Sequence, residues 1–400
     1  MKQITISRLV LLAALLAPLA TLKLSAQTTG KLVVPGEVDS SKLIPISMSG
    51  FSGEVATVLK FDLEVMGFKF EGPDTAQYLL NGKNNGNVEG HLTDRINKAS
   101  LLAKAYTGGT LRSQAHALAD DIVLTITRKK GIAQTKIAFK VDTGANSEIY
   151  VADYDGHNAQ AVTKDNTIVA APCWVPGRFA LYYTSYKAGY PEIFSHDLSS
   201  GARRAFAQYG SLNTSAAVSP DGKRVAMILN KAGGQNVYVC DADGGNLKRL
   251  TTTKEGESSP CWSPDGQTIC FASRTSGRAA LYTVSASGGA MKRLTTAGVS
   301  NVTEPDWSPD GKTIIFTANV GGFRLCTVPA NGGAVDLLID PRTNNGITGE
   351  DPCWAPNSRT VIFARRTKNG RVLSLLDVPT KQVKDVSRIS GSNSQPSWAE

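Results

Sequence analysis

Residues 259–266 read Ser-Pro-Cys-Trp-Ser-Pro-Asp-Gly, and residues 304–311 repeat the pattern as Glu-Pro-Asp-Trp-Ser-Pro-Asp-Gly. Further copies occupy residues 351–358, 171–177, 216–222 and, cut short, 395–398. The tryptophan position of this pattern recurs every 44 to 47 residues. A fixed period of this length is typical of repeat architectures, in which each repeat is one supersecondary unit.

Each repeat holds four strand-like runs in a constant order. After the Pro-Asp-Gly turn come runs such as Ile-Cys-Phe-Ala at 269–272 and Ala-Leu-Tyr-Thr at 280–283, then a Gly-Gly pair and a short last run. Apolar and β-branched runs bounded by Gly, Pro and Asp predict antiparallel hairpins. Four short strands in about 45 residues make one propeller blade, whose two faces are buried only when blades stack side by side.

The two ends of the repeat region complement each other. Residues 137–163 supply three strands without a tryptophan strand before them, and residues 395–399 supply a tryptophan strand without followers. We therefore predict a mainly β protein whose residues 136–400 form a six-bladed β-propeller. The C-terminal strand should join the first blade, which leaves no open edge in the ring.

Residues 27–135 carry no repeat and predict a small α/β domain. Strand-like and helical patterns alternate there in the order β-α-β-β-α. The predicted elements are a strand at 43–48, a helix at 53–66, strands at 86–92 and 99–106, and a helix capped by Thr110 that runs to about Lys129.

The first 26 residues are typical of a signal peptide. Lys2 and Arg8 supply positive charge, the run 9–20 is apolar, and small residues end at Ala26. The apolar run is shorter than the roughly 20 residues that span a bilayer. We expect cleavage after Ala26 and an exported, soluble protein, with a retained membrane anchor as the alternative.

The formal charge of +9 does not by itself indicate a nucleic-acid partner. Three basic pairs recur at matching places on the predicted outermost strands, where they discourage edge-to-edge aggregation: Arg203-Arg204, Lys248-Arg249 and Lys292-Arg293. We expect no nucleic-acid binding. The six cysteines are interpreted as small buried residues, with Cys261 and Cys270 as the one pair whose disulfide is left open.

No pattern indicates catalysis. A propeller-linked serine peptidase needs a Gly-x-Ser-x-Gly elbow, which the chain lacks. Asp221, Asp265 and Asp310 recur in turns, where Asp sets turn geometry. Four histidines do not offer a metal-binding set. We predict no cofactor, no metal and no enzymatic activity; an exported polysaccharide lyase, glycosidase or glycan-binding module stays open as an alternative.

Two further stretches carry a family resemblance. Ala-Tyr-Thr-Gly-Gly-Thr-Leu-Arg at 105–112 and Tyr-Val-Ala-Asp-Tyr-Asp-Gly-His-Asn at 150–158, together with the Trp-Ser-Pro-Asp-Gly repeats, resemble the TolB family of the Tol-Pal cell-envelope system. The resemblance implies a periplasmic, monomeric interaction protein that serves outer-membrane integrity and cell division. It implies binding of a Pal-like peptidoglycan-associated lipoprotein and linkage to a TolA-like inner-membrane protein.

The same resemblance implies site residues. Partner-binding residues are expected in loops before the tryptophan strands, at Asn301, Thr303, Glu304, Asn213, Thr214, Glu257 and Glu350. Without the resemblance, Thr303 and Glu304 are ordinary loop residues. An N-terminal segment similar to the family's switch peptide contains Val38, Asp39, Ser40 and Lys42. Binding at the two places is expected to be coupled through the domain interface.

Overall fold

The computed structural model describes residues 42–319, 321–340, 342, 346–386 and 388–399. The predicted signal peptide and the switch residues Val38, Asp39 and Ser40 lie outside these residues. The domain boundary expected at residue 135 stays a prediction, since residues 39–400 form one contact unit.

The N-terminal part is a mixed five-stranded sheet with two helices. Its strands, in the order β2-β1-β3-β4-β5, are β1 (Ile44–Ser49), β2 (Phe68–Phe70), β3 (Tyr78–Lys83), β4 (Val88–Asp94) and β5 (Ala99–Tyr106). Strand β1 pairs in parallel with β2 and β3, and the remaining pairs are antiparallel. The small α/β domain is confirmed, but β2 and β3 were missed: β2 is only three residues long, and Asn81-Gly82 interrupt the apolar run of β3.

The helices are α1 (Gly53–Val65) and α2 (Leu111–Thr127). Thr110 begins α2 as expected, because its hydroxyl accepts from the Ser113 N–H while the Ser113 hydroxyl accepts from the Thr110 N–H. This reciprocal capping satisfies two N–H groups that the helix itself cannot pair. Helix α2 ends at Arg128, which adopts a left-handed conformation.

The rest of the described chain is the six-bladed propeller, with four strands per blade. From the ring axis outward, blade 1 consists of β31 (Ser392–Trp398), β6 (Lys136–Asp142), β7 (Ser147–Asp153) and β8 (Gln160–Ala161), and blade 2 of β9 (Val169–Trp174), β10 (Ala180–Ser185), β11 (Glu192–Asp197) and β12 (Arg203–Ala207). In the same order, blade 3 consists of β13 (Asn213–Val218), β14 (Arg224–Leu229), β15 (Asn236–Asp241) and β16 (Lys248–Arg249), and blade 4 of β17 (Glu257–Trp262), β18 (Thr268–Ser273), β19 (Ala280–Ser285) and β20 (Lys292–Arg293). Blade 5 consists of β22 (Val302–Trp307), β23 (Thr313–Asn319), β24 (Phe323–Pro329) and β26 (Asp336–Ile339), and blade 6 of β27 (Gly349–Trp354), β28 (Thr360–Thr367), β29 (Gly370–Asp377) and β30 (Gln382–Asp385). Two short strands, β21 (Thr296–Ala297) and β25 (Gly333–Ala334), pair in parallel beside blade 5.

The chain's last strand closes the ring, as predicted. Strand β31 pairs antiparallel with β6, placing Trp398 opposite Ile137. The indole N–H of Trp398 donates to the Thr135 hydroxyl at 2.7 Å. The outermost strands of blades 2, 3 and 4 carry the three basic pairs at the expected edges. All six cysteines are free thiols, and Cys261 faces Cys270 across β17 and β18.

One apolar core runs from the α/β part into the ring. Leu59 and Ile122 of the helices share a buried cluster with Ile137, Ala355 and Trp398 of blades 1 and 6. Polar contacts reinforce this junction, including an ion pair between Glu64 and Lys384. The helices therefore pack against the propeller end that carries the Pro-Asp-Gly turns.

Candidate partner-binding face

Two sets of loops share the other end of the ring. They are the loops that lead into the innermost strands (162–168, 208–212, 250–256, 294–301, 340, 342, 346–348 and 388–391) and the turns between the second and third strands (143–146, 186–191, 230–235, 274–279, 321–322 and 368–369). Backbone hydrogen bonds join one set to the other, such as Tyr186 N–H to Ile168 C=O at 3.0 Å and Asn230 N–H to Leu212 C=O at 2.9 Å. We call this end of the propeller the loop face.

Each innermost strand contains one non-glycine residue with a left-handed backbone. The six residues have φ between 49° and 54° and are Ala171, Ser215, Ser259, Glu304, Asp351 and Gln395. Each lies where the pairing register of its strand shifts. Such bulges re-aim side chains, and left-handed non-glycine residues concentrate at functional sites. We call these six residues the bulge ring.

Side chains of the bulge ring connect neighbouring blades. The Glu304 carboxylate accepts from the Asp351 N–H at 2.9 Å, and the Asp351 carboxylate accepts from the Gln395 N–H at 3.2 Å. The Gln395 side-chain oxygen then accepts from the Ala171 N–H at 2.9 Å. The methyl side chain of Ala171 cannot continue the series. Side chains of the bulge ring therefore link three of the six pairs of neighbouring blades: 5 to 6, 6 to 1 and 1 to 2.

The two carboxyl groups in the ring resist ionisation together. Burial, followed by the charge of Glu304, raises the pKa of Asp351 to about 7. Burial also raises the pKa of Glu304, although the Thr317 hydroxyl and the Asp351 N–H favour its ionised form. Two close carboxylates in a low-dielectric site disfavour a double negative charge. The pair therefore retains a proton closer to neutral pH than an exposed pair would.

The bulge ring lines a central funnel of about 670 Å³. Prolines, tryptophans and cysteines of the innermost strands, the prolines of the turns that follow these strands and Lys130 complete the wall, so the funnel extends from the bulge ring toward the end that carries those turns. Among the described residues, no group of three or more His, Cys, Asp or Glu side chains could hold a metal ion. The funnel offers backbone groups, two carboxyl groups and an amide, a chemistry suited to hydrogen bonding with a peptide or protein surface.

Four of the sequence-predicted site residues lie around blades 5 and 6. Asn301 is exposed, Thr303 is half-buried opposite Thr317 in β23, and Glu304 belongs to the bulge ring. Glu350 is buried beside Asp351 and forms an ion pair with Arg371. The structure thus brings these four side chains to one sector of the loop face.

The other three predicted residues make contacts within the propeller: Asn213 and Glu257 hold loops in place, and Thr214 links blade 3 to blade 2. The buried Asn213 amide donates to the Pro191 C=O at 3.1 Å and accepts from the Tyr209 N–H at 2.6 Å. Thr214 lies 3.1 Å from the Thr184 hydroxyl. The buried Glu257 accepts from the Thr251 hydroxyl and the Asn236 amide, both at 2.9 Å. Contact of Asn213, Thr214 and Glu257 with a partner stays a prediction.

The sequence patterns did not single out the bulge ring. Its one signal was that five of its six members precede a proline. Proline disfavours a right-handed helical backbone in the residue before it, but this does not indicate a left-handed one. Of the predicted switch segment, the structure describes only Lys42, an exposed residue shortly before β1.

A second group, also missed, joins the α/β part to blade 1. We call Asp62, Arg112, His116, Tyr154 and Asp155 the junction cluster. The Tyr154 hydroxyl donates to Asp62 at 2.5 Å, His116 Nδ1 lies 2.7 Å from Asp62, and Arg112 forms an ion pair with Asp155. Burial opposes protonation of His116, but the hydrogen bond and charge of Asp62 outweigh it and raise the His116 pKa.

In the part of the chain that the structure describes, no helix is long and apolar enough to cross a membrane.

Comparison with known proteins places the chain in a family. The family model described as "TolB beta propeller domain" matches residues 123–400. The Tol-Pal system protein TolB of Bordetella pertussis is 33% identical over 167 residues, which are 41% of this chain and 38% of that protein. The Tol-Pal system protein TolB of Anaeromyxobacter dehalogenans (strain 2CP-1) is 32% identical over 145 residues, which are 36% of this chain and 33% of that protein. The alignments thus span little more than a third of these curated relatives.

Solved structures agree on the fold. A crystal structure of TolB from Acinetobacter baumannii has a TM-score of 0.79 at 23% identity and covers 90% of this chain and 97% of that one. A putative TolB from Agrobacterium tumefaciens has a TM-score of 0.53 at 19% identity and covers 65% and 90%. Because the family model matches well over half of the chain, the chain belongs to the TolB β-propeller family.

Proposed function

We propose that the chain is a periplasmic interaction protein of a Tol-Pal system, without enzymatic activity, whose loop face binds a Pal-like peptidoglycan-associated lipoprotein. The relatives' shared name supports the system. The observation that carries the proposal for this face is the bulge ring, because its six strained residues are the third or fourth residues of the innermost strands, counted from the ends at the loop face. A signal peptide at residues 1–26 would deliver the protein, as a monomer, to the periplasm.

Within the loop face, Asn301, Thr303 and Glu304 are proposed to contact the lipoprotein. Asn301 is exposed, and Glu304 projects from the bulge ring. Glu350 and Glu257 act less directly: their buried carboxylates hold the surrounding loops through Arg371 and Thr251. Asn213 positions the loop between blades 2 and 3, and Thr214 links blade 3 to Thr184 of blade 2.

The second partner is proposed to be a TolA-like inner-membrane protein that engages the segment containing Val38, Asp39, Ser40 and Lys42. This segment leads directly into β1, whose sheet shares its core with blades 1 and 6. Lipoprotein binding and segment release would be coupled through the junction cluster. A typical coupling free energy between two sites is about 1–3 kcal/mol. Together the two contacts would serve outer-membrane integrity and cell division.

The test is binding of the purified protein to the soluble domain of a Pal-like lipoprotein by isothermal titration calorimetry. Glu304→Lys should weaken binding at least tenfold, since it places a cation where a carboxyl faces the funnel. Asp243→Lys is the matched control, because Asp243 is exposed in a turn on the opposite end of the ring. Equal affinity of both variants would contradict the proposed face, and turnover of a polysaccharide by the purified protein would contradict the non-enzymatic role.

A further inference from the structure

The exposed charges of the loop face are almost all positive. Six exposed cations have side chains that form neither an ion pair nor a hydrogen bond with any described residue, and we call them the basic rim: Lys164, Lys231, Lys254, Arg274, Arg278 and Lys368. Arg388, also exposed, donates to the Asp155 C=O at 3.2 Å and is not part of this set. They are spread over the loops and turns of blades 1, 3, 4 and 6 and the connections between them. Within the described residues of the same loops, Glu255 is the one exposed acid.

The acidic groups of this face lie further in and are less exposed. Glu304 and Asp351 point into the funnel, and Glu350 is buried in its ion pair with Arg371. Uncompensated positive charge therefore surrounds a centre whose carboxyl groups are partly protonated or already paired. A partner must match a cationic edge and a hydrogen-bonding centre.

The opposite end of the ring does not show this pattern. There the exposed aspartates Asp221, Asp243 and Asp310 alternate with the exposed lysines Lys223 and Lys312. The basic rim is therefore a property of one face and does not simply follow from the chain's net charge of +9.

We propose that the partner of the loop face is a protein domain whose footprint carries carboxylates along its edge, opposite the basic rim. The inference rests on the proposed function for the choice of face and adds the chemistry of the partner. Complementary charge at the edge of an interface mainly raises the association rate and selects the partner. None of the six cations is held in an ion pair, which leaves them available for this role, although Lys231 lies 4.5 Å from the centre of the Tyr209 ring.

A protein fits this face better than an anionic membrane. Membrane-binding segments concentrate four to eight basic residues in one cluster, whereas the basic rim distributes its cations over the loops and turns of four blades. Two apolar side chains, Ile168 and Tyr190, are each 44% exposed on the same face. A mixed surface of this kind is typical of a protein interface with an apolar core and a polar edge.

The experiment compares two triple variants with the same change in net charge. Lys164→Glu, Arg274→Glu and Lys368→Glu together reverse three charges of the basic rim. Lys223→Glu, Lys292→Glu and Lys312→Glu together reverse three exposed charges outside the loop face. Association of each protein with the soluble domain of a Pal-like lipoprotein is measured by stopped-flow fluorescence at 20 and 300 mM NaCl, and circular dichroism checks that both variants fold.

The rim variant should associate about tenfold more slowly at 20 mM NaCl, with dissociation changed less than twofold. The association rate of the control variant should stay within twofold of that of the wild type. Raising NaCl from 20 to 300 mM should slow the association of the wild type more than that of the rim variant. Equal rates for both variants would overturn the inference.

Poly-L-glutamate is the second probe, because it tests the rim without the proposed lipoprotein. If the lipoprotein domain does not bind, the proposed function fails, yet polyglutamate binding lost only in the rim variant would still support an acidic protein partner. Absence of polyglutamate binding would overturn the inference. Binding of phosphatidylglycerol vesicles that depends on the basic rim, in place of binding to either protein probe, would also overturn it.

Discussion

His116 Nδ1 lies 2.7 Å from the Asp62 carboxylate, and both side chains are almost fully buried between the two helices and blade 1. The Tyr154 hydroxyl donates to the second oxygen of the same carboxylate. Asp62 and His116 belong to the α/β part, and Tyr154 belongs to the propeller. The buried Asp62 carboxylate therefore contacts both parts, and the charge state of His116 affects the strength of these contacts.

Stability should depend on pH through His116. Its pKa is raised in the folded protein, so its contribution is fully present below the ordinary value of about 6.5 and is lost as pH rises through the folded value. The carboxylates of Asp62, Asp155, Asp120 and Asp153 surround the His116 imidazole and favour its protonated form. The positive charge of Arg112 has the opposite effect.

His116→Gln should lower the free energy of unfolding by roughly 2 kcal/mol at pH 6, since it removes a buried charged hydrogen bond. The loss should be smaller at pH 9. Urea unfolding followed by circular dichroism measures both values. His91→Gln is the control, because His91 contacts Ser100 on an exposed strand. Equal losses for His116→Gln at the two pH values would contradict the role assigned to its charge.

Ring closure predicts the effect of shortening the chain. Deletion of residues 391–400 removes β31, leaves β6 without its inner neighbour and exposes the cluster around Trp398. The melting temperature should fall by more than 10 °C, since loss of a buried tryptophan alone is typically worth about 3–5 kcal/mol.

The single change Trp398→Phe is the milder companion to this deletion. It keeps the ring and an aromatic side chain but removes the hydrogen bond to Thr135, so its melting temperature should fall between those of the deletion and the wild type. Differential scanning calorimetry measures all three proteins. A deletion protein that melts like the intact chain would disprove closure by the C-terminal strand.

Asp351→Asn should stabilise the protein at alkaline pH. The pKa of Asp351 is about 7, above its ordinary value of 3.8, so the folded state holds the proton more tightly and stability falls as pH rises between these values. Asparagine is uncharged, and its amide oxygen can still accept from the Gln395 N–H.

At ~1.4 kcal/mol per pKa unit, the rise from 3.8 to about 7 would correspond to about 4 kcal/mol. The expected gain for Asp351→Asn at pH 8 is smaller, about 1–2 kcal/mol, because solvent in the open funnel screens the charge. No gain is expected at pH 4. Asp265→Asn is the control, since the Ser263 hydroxyl lowers the Asp265 pKa. Chemical denaturation at both pH values decides, and a gain at pH 4 equal to that at pH 8 would refute the explanation.

Much of the propeller could be predicted because its information is local. The Pro-Asp-Gly turn, the Gly pair and the short runs between them specify one hairpin unit within about 45 residues. Trp398 at the end and Ile137 at the start of the repeat region also indicated their own pairing, because each fragment lacked what the other supplied. Thr110 and the apolar spacing after it likewise predicted α2.

The site was harder to predict because its residues meet only in the folded ring. Glu304, Asp351 and Gln395 come from three blades, and their left-handed backbone results from strand pairing that no single repeat displays. Strand β2, with three residues, is too short for any periodic signal and exists because β1 lies beside it.

The sequence alone determined the repeat, the number of blades and the strand that closes the ring, because each depends on residues near one another or on a simple count. Tertiary structure alone decided the bulge ring, the basic rim as a one-sided pattern and the contact of Asp62 with His116 and Tyr154. Burial and charge pairing depend on distances between segments far apart in the chain, and these distances are set only when the blades and helices pack.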